Sequence, residues 1–318
     1  MSFLTNALVA GSAVAVPSGL LGWFVLMRRQ VFAGDALGHV AFTGALAAAA
    51  FGVDVRVGLF VGTVGLACVL AVLGRRARAD DIVIGATFAL VLGLGVFFLA
   101  RLSRASGRGG DAGLQAERAA AAARSLFGSI LGLTTRDALV LAAVGLVVSA
   151  GLVALARPLL FSGLDPERAR ARGVRERLVG TLFLVLVGVA AGQASQAVGA
   201  LLALGLLVAP AAAARRLTAR PYLGPLVAAA IGLVATWAGI AVSRHVDGVP
   251  ASAAVVLCAT TAFVLAGAAR RCRIRRSAAA FAGRGRGDAR AAQAASAEQG
   301  VVRVDLGAEP GRQLRDGR

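Results

Sequence analysis

Long apolar runs, most of them closed by arginine, recur along this 318-residue chain and leave little freedom in how it can fold. A helix that crosses a bilayer needs about 20 mostly apolar residues, because no water is available there to satisfy its backbone groups. By that rule the runs near 4–27, 36–52, 57–73, 82–100, 137–156, 178–193, 195–214, 222–243 and 250–269 predict about nine spanning helices. The number falls to about eight if 178–214 is partly re-entrant, since Gly192-Gln193-Ala194-Ser195-Gln196 is only a mildly polar break. The expected fold class is therefore an all-α polytopic membrane protein.

Charge distribution points the same way. Only 16% of the residues are charged, against about a quarter in an ordinary soluble domain. The net charge is +18 and all the basic residues are arginine. In a soluble chain that balance would suggest nucleic acid. Here many arginines stand at the ends of apolar runs, which membrane topology explains, and no nucleic-acid partner is expected. The gaps carrying Arg28/Arg29, Arg75/Arg76/Arg78, Arg157 to Arg177, Arg215/Arg216/Arg220 and Arg270 to Arg276 alternate along the nine-span order. They belong on the cytoplasmic side, which puts the N-terminus outside and the C-terminus in the cytoplasm. The 101–136 stretch, with Arg101, Arg104, Arg108, Arg118, Arg124 and Arg136, runs against that trend. Cys68, Cys258 and Cys272 are scattered and make no disulfide framework.

The expected organisation is a transmembrane domain over 1–269 and a disordered, basic cytoplasmic tail over 270–318. The start of the tail either touches anionic membrane lipid or serves only as a flank to the last span. Within the domain, 101–136 is an outer loop, Gly/Ser/Arg-rich over 103–113 and Ala-rich, hence helical, over 114–127. Pro17, Pro210 and the run from Gly93 to Gly95 are breakers inside spans, where they kink helices or let them pack closely.

Two stretches carry chemistry. In Gly34-Asp35-Ala36-Leu37-Gly38-His39 an acid and an imidazole lie four residues apart, one above the other on a helix face. An ionised Asp at the centre of a membrane helix costs about 2.5–3.5 kcal/mol on insertion scales, so it needs a use or a shallow position. Asp35 at the start of the second span, just past Arg28/Arg29, suits either a helix N-cap or a metal ligand. His39 suits either a satisfied core histidine or the second ligand. Carboxylate with imidazole favours Zn²⁺ or Mn²⁺ over Ca²⁺, which prefers oxygen shells, and over Cu⁺, which prefers sulfur. His245 and Asp247 form another such pair in a short outer loop, either an outer ion-acceptance site or a solvated turn.

The second stretch is the 161–177 loop, Phe161-Ser-Gly-Leu-Asp-Pro-Glu-Arg-Ala-Arg-Ala-Arg-Gly173 and its continuation. Asp165 as N-cap, Pro166 and Glu167 in the first turn and Gly173 at the C-terminus predict a short capped helix. Such a rigid element suits docking of a soluble partner, although an amphipathic loop helix would read the same way.

The run from Arg28-Arg29-Gln30 through Gly34-Asp35-Ala36-Leu37-Gly38-His39 resembles the opening of the permeases of zinc and manganese ABC importers. Asp165-Pro166-Glu167, with Ala169 and Gly173, is similar to their coupling loop. Gln196-Ala197-Val198-Gly199-Ala200-Leu201-Leu202, continuing to Pro210 and Arg215, resembles their late pathway helix. Phe127-Gly128-Ser129-Ile130-Leu131-Gly132 and Asp247-Gly248-Val249-Pro250 recur in the expected order, so that the resemblance covers about residues 8–269. It implies a transport subunit, a homodimer or otherwise paired with a second permease, with cytoplasmic ATP-binding subunits docked at 161–177 and an extracytoplasmic metal-binding protein delivering the ion. It also implies that Asp35 and His39 contact the metal, that Gln196, Gly199 and Pro210 belong to a pathway helix, and that the only metal is transported Zn or Mn, with no permanent cofactor. The chain is not expected to be an enzyme: a Walker A loop needs a Lys, and none is present.

Three other readings fit parts of the pattern. A permease for metal chelates of the siderophore or cobalamin type would need a wider path without a bare-metal ligand pair. An ion-coupled secondary transporter would use Asp35 without an ATPase. A non-transporting membrane scaffold would use only the Arg-rich loop and tail.

Overall fold

The computed structural model describes residues 3–73, 81–106, 128, 130–164, 175–246 and 248–272. All regular elements among these residues are helices, several of them joined by short turns. In chain order the helices are α1 (Phe3–Met27), α2 (Val31–Phe51), α3 (Val55–Leu73), α4 (Asp81–Ser106), α5 (Thr135–Leu164), α6 (Glu176–Ala197), α7 (Ala200–Leu217), α8 (Leu223–His245) and α9 (Ala251–Cys272), with a 3-10 turn at Ile130–Gly132 before α5. Eight of them are long and apolar enough to cross a membrane, α7 being the exception among the described residues. Met1–Gly267 form one compact unit; in the other, Ala268–Arg318, residues 268–272 are helical.

The second span is longer than its apolar run suggests. Residues Val31–Gly34 already belong to α2, whose N-cap is Gln30, and the helix closes at Gly52 in the left-handed conformation. Pro17, Pro158 and Pro210 are all accommodated inside helices.

α1 is the central post. It packs against α5, α6, α7 and α8, while α2 packs against α3, α4, α6 and α7. Small residues make these approaches possible. Where α2 crosses α3, a Cβ on Gly44 would collide with the Gly58 carbonyl, so the two backbones meet closely. The main core, with Phe24, Leu37, Phe183 and Leu207, fills one end of the bundle; Ala7, Ala10, Ile130, Leu141, Val198 and Ile240 fill the other. The outward faces of α3, α4 and α5 are apolar and open, with Val61, Val96, Phe97, Leu146 and Val147 all more than half exposed. In water so broad an apolar surface would be a liability, whereas in hydrocarbon it is the solvent-facing side.

The 178–214 region resolves into two helices. Gln193 and Ser195, which looked like a polar break, are fully buried inside α6. The chain turns three residues after Ser195, at Val198-Gly199, where Gly199 has φ 101°. That backbone conformation is open to glycine and rare for residues with a Cβ. α6 rises from Glu176, which shares a cavity with Arg28, to Ala197 in the cluster around Ala10. α7 then returns, and Arg215 Nη1 donates to the Leu26 carbonyl at 3.2 Å, at the C-terminal end of α1. The turn itself is buried, Val198 being 0% exposed. Gly128 lies against it, so close that a Cβ there would collide with the Val198 carbonyl carbon.

Buried polar groups tie the helices laterally. Gln193 Nε2 donates to the carbonyls of Ala13 at 3.0 Å and Leu141 at 2.8 Å, joining α6 to α1 and α5. Asn6 Nδ2 donates to Thr135 Oγ1 at 3.1 Å, linking the starts of α1 and α5.

Candidate metal-contacting site

Asp35 is the fifth residue of α2 and His39 the ninth. At a rise of 1.5 Å per residue they stand about 6 Å and about 12 Å along the helix from Val31. The N-cap reading of Asp35 fails, because the helix begins a full turn earlier and its cap is Gln30. His39 lies close to the middle of the 21-residue helix.

His39 Nε2 and Asp35 Oδ1 are 3.7 Å apart, with the side chains 19% and 33% exposed. Neither group is sealed in the core, so both can turn toward an approaching ion. The imidazole also meets the Phe88 ring of α4 edge-on, with centroids 5.1 Å apart. One turn further along the same face, Thr43 Oγ1 donates to the Val91 carbonyl of α4 at 3.1 Å. Asp35, His39 and Thr43 therefore form one polar stripe at four-residue spacing, and α4 covers its upper part. Phe88 and Thr43 did not emerge from the sequence as site residues. The i, i+4, i+8 spacing of Asp35, His39 and Thr43 was the signal for Thr43; Phe88 carried none, since it belongs to another helix.

The other residues singled out from sequence are dispersed. Gln196 is half-buried in the last turn of α6, its Oε1 enclosed without a hydrogen-bond partner. Gly199 makes the buried turn and Pro210 sits buried within α7, against Gly232 of α8. His245 ends α8 and is exposed, while Asp247 lies outside the described residues. Asp165, Pro166, Glu167, Ala169 and Gly173 also lie outside them, as does the Ala-rich stretch 114–127. Among the described residues no three His, Cys, Asp or Glu side chains gather as a metal site. Asp35 and His39 thus offer two side chains of ligating type and no third among those residues. Structural zinc sites usually supply four protein ligands, so this pair suits brief contact better than permanent retention.

A bundle of apolar helices with an outward lipid-facing surface and a carboxylate–imidazole pair on one helix face defines a polytopic membrane protein. The chain belongs to the ABC 3 transport family, whose model matches residues 1–270. It is 30% identical over 266 residues to a relative named "Manganese transport system membrane protein MntC" from Halalkalibacterium halodurans, covering 83% of this chain and 86% of that one. It is 26% identical to "Manganese import system permease protein ScaB" from Streptococcus parasanguinis, with 83% and 89% covered. Among solved structures, "PsaBC from Streptococcus pneumoniae in complex with Fab" matches with a TM-score of 0.68 at 24% identity, covering 84% of this chain and 91% of that one. This last similarity speaks for the fold.

Proposed function

We propose that this permease is the membrane subunit of an ATP-driven importer of manganese or zinc, with Asp35 and His39 as the residues that contact the ion. The observation that carries the reading is the carboxylate–imidazole pair itself, 3.7 Å apart near the middle of α2 and partly accessible. Its donor set suits both metals, and the manganese names of the relatives favour manganese.

In this reading the end of the bundle bearing Arg28, Arg215 and Arg216 faces the cytoplasm, with the N-terminus outside and the C-terminus inside. Separate ATP-binding subunits dock at 161–177, a second copy of the permease completes the pathway, and an extracytoplasmic binding protein delivers the metal. Residues 1–269 form the permease domain and 270–318 a cytoplasmic extension. Hydrolysis then switches access to the ion pair from one side to the other.

The test is uptake of radiolabelled Mn²⁺ and Zn²⁺ by proteoliposomes holding the permease with its ATPase. Uptake should require ATP. The Asp35→Ala/His39→Ala double variant should lower it at least about tenfold, a loss that even outer-shell changes cause at metal sites. ATP-independent uptake would refute the energy source, and full uptake by the double variant would refute the site.

A further inference from the structure

Arg28 sits in the two-helix junction between α1 and α2, and its surroundings are built from both sides of the 165–174 connection. Its Nη2 donates to Ser162 Oγ at 2.5 Å, on the last turns of α5. Its guanidinium carbon lies 5.5 Å from the ring centroid of Phe183, in α6. Glu176, the first residue of α6, lines the same open cavity of about 470 Å³, together with Arg29, Gln30, Gly163 and Arg177. One side chain thus touches the helix that enters residues 165–174 and the helix that leaves them.

Burial lowers the pKa of the guanidinium, and the charge of Glu176 opposes that effect. Arginine nevertheless stays charged in proteins, so the enclosed cation holds its place through the contacts that it makes. The junction it occupies is short. Arg28 and Gln30 donate their backbone N–H groups to the carbonyls of Phe24 and Val25, at 2.9 and 3.0 Å, and Gly34 N–H reaches back to Gln30. Arg29 between them has φ 57°, a conformation that few non-glycine residues adopt. A connection this tight leaves little slack between Arg28, seven residues before Asp35, and the first turn of α2.

We propose that Arg28 is a positioning residue for energy coupling: held by Ser162 of α5 and beside Glu176 and Phe183 of α6, it links motion of these two helix ends to α2 and the Asp35/His39 pair. This inference rests on the ATP-driven reading above. A cation that merely stabilised the bundle would affect hydrolysis and transport together. A coupling residue changes their ratio.

The experiment measures ATP hydrolysis and Mn²⁺ uptake in parallel in proteoliposomes containing the whole transporter, for the wild type and for Arg28→Met, Arg28→Lys and Ser162→Ala. Arg28→Met should keep hydrolysis within about twofold while uptake per ATP falls about tenfold, equivalent to about 1.4 kcal/mol. Arg28→Lys keeps the charge but lacks the planar guanidinium, and should recover part of the ratio. Ser162→Ala removes one of the contacts that hold Arg28, together with the hydroxyl's own bond to the Leu159 carbonyl in the same helix, and should lower the ratio by a smaller factor; it also decides the matter if Arg28→Met fails to fold. Equilibrium Mn²⁺ binding should stay unchanged in all three. A ratio that stays at the wild-type value in these variants overturns the proposal, whether both activities survive or both collapse. Absence of ATP-dependent uptake in the wild type would instead sink the reading on which it rests.

Discussion

Arg56 Nη2 and Asp137 Oδ1 stand 2.6 Å apart, joining the first turn of α3 to the first turn of α5 across 81 positions of sequence. The carboxylate is buried while the guanidinium is nearly half exposed. Asp137 also closes a capping box, for Thr134 N–H donates to its Oδ2 at 3.2 Å and its own N–H reaches Thr134 Oγ1 at 3.3 Å. Asp137→Asn should therefore destabilise the protein by about 1–2 kcal/mol, from a weakened cap and a lost, partly exposed ion pair. Arg56→Ala should cost more, because it leaves the buried Asp137 carboxylate without its counter-charge. Thermal unfolding in detergent gives the order, and an Arg56 variant more stable than the Asp137 variant would contradict it.

Gln193 acts through its amide donor, which reaches two carbonyls on different helices. Gln193→Glu removes that donor and places a carboxylate in a fully buried site, whereas Gln193→Leu removes the polar group altogether. The glutamate variant should be the less stable of the two by several kcal/mol, on the order of the penalty for an unpaired buried charge. Equal melting temperatures would show that water reaches this position.

The seam between α2 and α4 depends on a missing side chain. A Cβ at Gly95 would stand 2.9 Å from Thr43 Oγ1, so Gly95→Ala must displace the hydroxyl that donates to Val91. The expected outcome is a folded protein with reduced Mn²⁺ uptake, and Thr43→Val should reproduce it at full backbone fit. Normal uptake by both variants would separate the seam from transport.

Metal preference should follow the donor at position 39. His39→Cys replaces imidazole with a softer thiolate, which favours Zn²⁺ over Mn²⁺. In competition uptake the zinc-to-manganese ratio should rise relative to the wild type; an unchanged ratio would mean that His39 does not contact the ion.

Much of this architecture was legible in the sequence because one solvent, hydrocarbon, imposes one rule on every span. Run length located α1, α3, α8 and α9 to within a few residues. The Asp35/His39 spacing likewise placed both groups on one face before any coordinates. What escaped were features set by partners far away in the chain. Asp35 is a good N-cap by residue type, yet Gln30 begins the helix, because Val31, Phe32 and Ala33 extend the apolar surface of α2 backwards. Gln193 reads as a break in a hydropathy profile; it is helical because the Ala13 and Leu141 carbonyls receive its amide. Neither Arg56 with Asp137 nor Arg28 with Ser162 leaves any local trace, since each pair is a meeting of distant helix ends.

The buried α6–α7 turn has a consequence for how this chain can vary. Connections between helices usually lie in water, where an inserted or deleted residue bulges out and leaves the flanking elements in register. Val198 and Gly199 have no such slack, enclosed as they are beneath Gly128. One residue added to or removed from the start of α7 would rotate every later position on that helix by about 100° and shift it by about 1.5 Å. Pro210 would swing off Gly232 and Arg215 would lose the Leu26 carbonyl. Length between Gln193 and Arg215 is thus fixed to the residue, and deletion scanning should find this stretch intolerant even where each single side chain can be exchanged.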